Sequence, residues 1–254
     1  MSFFSGEQAL DFLKDNKGSS FENKFSHLKD GDTRIVKVLG AEDLVSVPTY
    51  SIFKSVNTFT PDPLPTLSNG YVVDNLTPFD VVSKYYREQS ENFGDENSQL
   101  AYRYGIKHRF AIGFYDLDEK KCIVIDFSKK QAQTVFGAIQ SNAKRLNNRA
   151  FEITKRDRGQ IQINPILPDE LEDAQQKAFE EAPKEFDKEL FEDLYFKRDK
   201  AGMIEALAQD GVDVEKFGFT KPKLKEEDSS GENPFETDAK VEVLTDDDDL
   251  PLPF

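Results

Sequence analysis

The chain has 254 residues, 37% of them hydrophobic, so it can bury one substantial core but hardly two independent large domains. Its net charge of −15, taken alone, argues against nucleic acid as a partner. The charge is unevenly distributed, because residues 101–160 carry 13 Lys and Arg against 6 Asp and Glu, a net charge of +7. The chain thus holds one basic block inside an acidic protein.

Cysteine content and the chain start indicate a compartment. Cys122 is the only cysteine, which excludes an internal disulfide and favours reducing conditions. The first residues lack the basic region and apolar run of a secretion signal, and no stretch of the sequence approaches the length of a membrane span. We therefore expect a cytoplasmic protein.

The N-terminal third predicts an arm followed by extended structure. Residues 1–30 form an arm with two amphipathic pieces, which could dock on its own core or mediate self-association with a neighbouring copy. The β-branched run predicts a strand over 33–39, and a further extended segment runs from 44 to 59. The proline-rich stretch up to Asn69-Gly70 indicates a long loop, and a helix is predicted to start near Pro78.

The basic block predicts strands and one helix. Alternation over 100–115 predicts a long strand with one basic face, and 121–127 reads as its antiparallel partner. Ser128 is a predicted N-cap for a helix to about residue 146. Residues 151–155 and 160–167 predict a hairpin with a basic turn.

The remaining sequence is helical and then polar. Apolar spacing over 169–210 is helical, and residues 222–254 are acidic, low in apolar residues and predicted to be disordered. The predicted organisation is an arm at 1–30, a β core at 31–168, a helical extension packed on that core at 169–221, and the acidic tail.

Common catalytic and metal-binding arrangements are missing from the sequence. It has two histidines and one cysteine, and it lacks the glycine-rich phosphate-binding motifs and H-E-x-x-H. Cys122 lies in an apolar strand, and His108 shares the parity of the apolar face, so both are interpreted as structural. We expect neither enzyme activity nor a cofactor or metal.

The basic block combines the two features that single-stranded nucleic acid requires, which are cations along a groove and aromatic faces on which bases stack. The ordinary alternative is that the cations are a solvated strand face and that the rings are core. The predicted contact residues are Tyr102, Arg103, Tyr104, Lys107, Arg109, Tyr115, Lys129, Lys130, Lys155, Arg156 and Arg158.

The C-terminal tip combines adjacent carboxylates with an apolar end. Carboxylates that repel one another stay solvated, while a terminal aromatic is suited to a pocket on another protein. We expect the tail to lie in the basic groove when DNA is absent and to recruit replication or recombination proteins when DNA displaces it. The predicted partner-binding residues are Asp246, Asp247, Asp248, Asp249, Leu250, Pro253 and Phe254.

Several short segments, in this order, resemble the tailed-phage single-stranded DNA-binding, or helix-destabilising, proteins. Residues 33–39 resemble that family's first core strand, 126–130 its Phe-Ser-Lys element, and 151–159 its D-F-E-I-T-R-x-G hairpin. The Asp-rich tail ending in Pro-Phe is also similar to the tails of bacterial single-stranded DNA-binding proteins. The resemblance implies an OB-like β-barrel that coats single strands in replication, recombination and repair.

The chain departs from this family in two places. Some members bind zinc through a histidine and cysteines, whereas this chain has the lone Cys122. Some carry a Lys/Arg-Ser/Thr cluster in the arm for cooperative coating, where this arm offers only Lys17, Ser19 and Ser20. Because of the first departure we expect no bound zinc. Because of the second, the resemblance gives no basis for expecting cooperative filaments.

The sequence thus predicts a mainly β fold, an OB-like barrel with helical decorations, that binds single-stranded DNA without sequence preference. Two other classes of protein stay open. An acidic interaction protein, such as a DNA mimic or an assembly scaffold, would have no DNA affinity. A nuclease using carboxylate-bound metal would consume its substrate when magnesium is added.

Overall fold

A computed structural model describes residues 24–221 of the chain. The predictions for most of the N-terminal arm and for the acidic tail lie outside these residues. Ten strands are found within the described part: β1 (Thr33–Lys37), β2 (Leu44–Ile52), β3 (Val56–Pro61), β4 (Thr66–Ser68), β5 (Tyr71–Asp74), β6 (Lys107–Asp116), β7 (Lys121–Phe127), β8 (Ala150–Lys155), β9 (Ile161–Ile166) and β10 (Lys197–Arg198).

Helices lie between and after these strands. Each of the first three begins at a residue whose side chain accepts a hydrogen bond from the first turn: Thr77, Asp95 and Ser128. The helices are α1 (Pro78–Gln89), α2 (Glu96–Tyr104), α3 (Lys129–Ser141), α4 (Asp173–Glu181) and α5 (Lys200–Gln209). The predicted helix starts at Pro78 and after Ser128 are confirmed.

Eight strands form one mainly antiparallel sheet, in the order β10-β3-β2-β6-β1-β8-β9, with β7 on β6. Strand β6 is central because it pairs with β2 along its first half, with β1 at its end and with β7 along its other edge. The predicted hairpins β6–β7 and β8–β9 are both present. The described residues therefore form a mixed α/β fold around a large β-sheet, and no closed barrel is found among them.

The two faces of β6 are covered by different parts of the chain. Phe110, Ile112 and Phe114 point into a core that α3 closes with Val135 and Ile139. On the opposite face, Ala111 packs against the segment that follows α4. Gly113 also lies there, because a Cβ atom on it would come within 2.6 Å of the Phe186 ring. Residues 111–116 of β6 are thus buried, with packing on both faces of the strand.

The strand predicted over 100–115 is wrong in its first part. Residues 96–104 are helical, and the strand begins at Lys107. The alternation of Tyr102, Tyr104 and Ile106 resembled a strand, but the Asp95 carboxylate accepts from the Ser98 amide at 2.6 Å and so starts a helix. Ala101 and Tyr104, three residues apart, form its buried side.

The long loop predicted around Asn69-Gly70 is also wrong in part. Strands β4 and β5 form a hairpin there, and Asn69 and Gly70 are its two turn residues, both with positive φ. This is the conformation that an Asn-Gly pair favours in a tight hairpin turn.

The predicted helical segment 169–210 is interrupted. Helix α4 ends near Pro183, and residues 197–198 instead add a short parallel strand to the sheet edge at β3. Phe186, Leu194 and Tyr195 are buried against the sheet. None of the helices within 24–221 combines the length and the apolar character that crossing a bilayer requires.

Candidate nucleic-acid interface

A cleft of about 720 Å³ opens where three elements meet: the β2–β3 turn, the outer face of α2 and the start of β6. We call it the basic cleft. Four cations line it, and Glu96 is the one acidic side chain among its lining residues. The aromatic, basic and histidine side chains that line the basic cleft are Phe53, Lys54, Tyr102, Arg103, Lys107, His108 and Arg109. Of the predicted contact residues, the structure therefore brings together Tyr102, Arg103, Lys107 and Arg109.

Arg103 reaches the basic cleft from α2 and not from a strand. Its guanidinium donates to both oxygens of Asp210, at 2.6 and 3.0 Å. The Arg103 side chain stays 42% exposed whereas Asp210 is 5% exposed. Burial raises the pKa of Asp210, but hydrogen bonds from Arg103 and Tyr104 more than offset it, and the pKa is lowered. The buried carboxylate fixes Arg103 in place while its outer edge remains accessible.

Arg109 is held more tightly than Arg103. It donates to both oxygens of Asp126, with Nη2–Oδ2 at 2.8 Å, and the Tyr195 hydroxyl donates to the same carboxylate at 2.7 Å. Burial opposes the charge on Arg109, but the adjacent Asp126 carboxylate outweighs it and raises the Arg109 pKa. Asp126 thus offsets much of the positive charge that Arg109 brings to the cleft.

Two lysines of the basic cleft lie beside aromatic rings. Lys107 donates to the Ser51 carbonyl at 3.2 Å, and its ammonium lies 5.6 Å from the Tyr102 ring centroid. Lys54 lies 5.2 Å from the Phe53 ring, at the β2–β3 turn. These cation–ring distances allow a weak attraction and leave part of each ring open to solvent.

Phe53 and Lys54 were not predicted as contact residues, because they lie outside the basic block to which the predicted contacts belong. Phe53 is 53% exposed, and Lys54 is exposed with a φ of +64°. The available signal was a large apolar residue beside a lysine in the middle of an extended segment.

Two predicted base-stacking rings are core residues, which corrects that prediction. Tyr104 is 5% exposed, stacks on Tyr86, and donates its hydroxyl to Asp210 at 2.9 Å. Burial and this hydrogen bond raise the pKa of Tyr104 to about 12. Tyr115 is 8% exposed and packs with Phe179. Neither ring has a face available to a base.

The other predicted cations form a second group, the turn patch, consisting of Lys129, Lys130, Lys155, Arg156 and Arg158. The first turn of α3 contacts the β8–β9 turn, since the Gln131 side-chain amide donates to the Gly159 carbonyl at 2.6 Å. The turn lines a separate cavity of about 410 Å³ that includes Lys155, Arg156 and Arg158.

The cations of the turn patch differ in how they are held. The Lys155 ammonium donates to the Leu28 carbonyl at 3.2 Å and forms an ion pair with Asp30 at 3.5 Å. Arg156 donates to Gln162, at 2.9 and 3.0 Å, and remains exposed. Arg158 is exposed in a left-handed conformation, and Lys129 and Lys130 are exposed at the start of α3.

One residue of the basic cleft and one of the turn patch lie at the same end of the β6–β7 hairpin. Phe110, near the start of β6, pairs with Phe127 at the end of β7. Arg109 therefore precedes this pair on one strand, while Lys129 follows it by two residues on the other. The cations of the β8–β9 turn line a cavity that shares no residue with the basic cleft.

His108 and Cys122 have surroundings that suit structural residues. His108 Nε2 lies 2.8 Å from the Gly70 carbonyl, and Nδ1 lies 3.3 Å from the Ser46 hydroxyl. Cys122 is half-buried, and burial raises the pKa of its thiol, which lowers its reactivity. Among residues 24–221, no three His, Cys, Asp or Glu side chains are grouped so as to hold a metal ion.

The predicted partner-binding residues, from Asp246 to Phe254, lie outside the described residues. The chain was compared with family models, with curated proteins and with solved structures, and none of the three comparisons found a match.

Proposed function

We propose that this protein binds single-stranded DNA without sequence preference and coats it during phage DNA replication, recombination and repair. The observation that carries the proposal is the basic cleft, where four cations and the rings of Phe53 and Tyr102 line one cavity. Cations along a groove contact phosphates whatever the sequence, and rings stack on any base. The turn patch supplies a second group of exposed cations for phosphate contacts.

The OB-type fold belongs to the same proposal. An OB fold is a five-stranded, partly open Greek-key barrel whose surface strands and loops bind oligonucleotides. Strand β1 pairs with both β6 and β8, and α3 connects β7 to β8 while packing on the sheet. This antiparallel arrangement supports the proposal, together with the short sequence resemblances.

A salt titration with a labelled oligo(dT) tests the function. We expect wild-type affinity to fall with salt, and the double variant Lys54→Gln/Lys107→Gln to bind more weakly. Its slope of log affinity against log salt should be shallower by about 1.4, because each lost phosphate contact removes roughly 0.7. Fluorescence anisotropy at several salt concentrations measures both quantities.

The control variant is Lys84→Gln/Lys177→Gln, which changes the net charge equally. These lysines are 65% and 69% exposed and lie on α1 and α4. The control should retain the wild-type slope. Wild-type protein with no affinity at any salt would contradict the proposal and favour the acidic interaction protein, and magnesium-dependent loss of the oligonucleotide would favour the nuclease.

A further inference from the structure

The β4–β5 hairpin stands beside the basic cleft. Its tip is anchored by His108, whose Nε2 donates to the Gly70 carbonyl at 2.8 Å in one tautomer. The same histidine lines the cleft. A Cβ on Gly70 would lie 3.4 Å from the imidazole, so the tip and the cleft wall are in contact. None of residues 66–74 lines the cleft itself, and the hairpin therefore contacts the cleft wall through His108.

One face of this hairpin exposes apolar side chains. Tyr71, the residue after Gly70, is 67% exposed, and Val73, two residues further along β5, is 56% exposed. Leu67 and Val72 pair across the hairpin on the opposite face and are half-buried. Two large apolar side chains exposed on one face of a short hairpin make that face a candidate binding surface.

The charge of the neighbouring cleft and the chemistry of the hairpin indicate what that ligand is. The cleft offers cations to a phosphate backbone, and a strand whose phosphates are held there can turn a base toward the hairpin. A tyrosine ring exposed at this place is suited to stacking on a base. The hairpin contains Asp74 but no lysine or arginine, so a base is a better occupant of this face than a phosphate.

We propose that the β4–β5 hairpin is a clamp over DNA in the basic cleft, with Tyr71 stacked on a base. This inference rests on the proposed function and extends it to a residue outside the basic block. It also assigns a role to His108, which positions the clamp by holding its tip against the wall of the cleft.

Substitution of Tyr71 tests the clamp through affinity. Tyr71→Ala should weaken oligo(dT) binding by about 5- to 150-fold, since one base–ring stack contributes about 1–3 kcal/mol. Tyr71→Phe keeps the ring and should keep the affinity. Phe93→Ala is the matched control, because Phe93 is 66% exposed, like Tyr71, but lies in the loop between α1 and α2 and not on the hairpin.

A fluorescence experiment tests the stack directly. The chain contains no tryptophan, so Tyr71→Trp introduces a single reporter. Oligo(dT) should quench its emission, and an abasic oligomer of equal length should bind without quenching it. A Phe93→Trp reporter should be quenched by neither ligand.

The outcomes separate the clamp from the function. If wild-type protein binds oligo(dT) and responds to Lys54→Gln/Lys107→Gln, but Tyr71→Ala binds as tightly, the clamp is wrong and the function stands. Unquenched Tyr71→Trp in a saturated complex would likewise overturn the clamp. If wild-type protein does not bind, both proposals fail.

Discussion

Asp126 sets how much positive charge Arg109 contributes to the basic cleft. The pair is partly buried, with 27% of the Arg109 side chain and 22% of Asp126 exposed. Tyr195 donates a further hydrogen bond to the carboxylate, so three side chains from distant parts of the chain form one unit. An uncompensated, partly buried guanidinium would be costly, and the role of Asp126 is therefore structural.

Asp126→Asn should have opposite effects on stability and affinity. Loss of the charged acceptor should lower the free energy of unfolding by about 1–3 kcal/mol. Release of the Arg109 charge should tighten oligo(dT) binding at low salt. Urea denaturation and anisotropy measure the two effects.

Tyr195→Phe serves as the comparison for Asp126→Asn, because it removes one hydrogen bond and leaves the ion pair. It should cost about 0.5–1.5 kcal/mol without changing affinity. Unchanged stability in Asp126→Asn would contradict the structural role of the carboxylate.

At the scale of elements, α2 decides where Tyr102 and Arg103 lie. The helix begins at Asp95, whose carboxylate accepts from the amides of Glu91, Asn92 and Ser98 and from the Ser90 hydroxyl. The backbone donors at Asn92 and Ser98, more than the other contacts, lower the pKa of Asp95 to about 2. The charged carboxylate is thus the form that holds the loop and the helix start together.

The low pKa of Asp95 predicts acid sensitivity. In the unfolded chain an aspartate titrates near pH 4. A folded pKa below that value contributes stability that is present above about pH 4 and is lost as the pH falls toward 2. Asp95→Asn should therefore show a shallower loss of stability over this range, measured by urea unfolding at several pH values. Identical pH profiles for variant and wild type would refute this assignment.

At the scale of the whole molecule, opposite charges are placed on different segments. Residues 222–254 hold 3 Lys and Arg against 11 Asp and Glu, a net charge of −8, whereas the basic cleft is lined by four cations. Such segments attract each other most strongly at low ionic strength. This charge distribution predicts a tail that competes with DNA for the cleft.

Neutralising the tail should strengthen DNA binding. Replacement of the four aspartates at 246–249 by asparagine should tighten oligo(dT) binding at low salt, with the difference fading as salt increases. The control replaces four acidic residues of the helical region, Glu172, Asp173, Glu180 and Glu181, by their amides, which gives the same net charge. Equal tightening in both variants would show a net-charge effect and contradict competition by the tail.

Local patterns predicted much of the sheet and the helix starts. The β6–β7 and β8–β9 hairpins, the helix start at Pro78 and the cap at Ser128 depend on neighbours within a few residues, which the sequence displays. The same kind of pattern misled at residues 100–106, because two tyrosines at alternate positions fit a strand as well as a helix. The Asp95 cap and the burial of Ala101 and Tyr104 on one side stabilise the helix at these residues.

By itself, the sequence determined that a basic, ring-bearing block lies within an acidic chain, since charge and composition do not depend on folding. Only the tertiary structure decided which of these groups share a surface. Arg103 is held by Asp210, 107 residues away, and Asp126 receives Tyr195 from 69 residues away. Phe53 and Lys54 line the same cleft from the β2–β3 turn, whereas Tyr104 and Tyr115 are buried in the core and do not line it. Long-range packing sets these positions, and no local pattern records it.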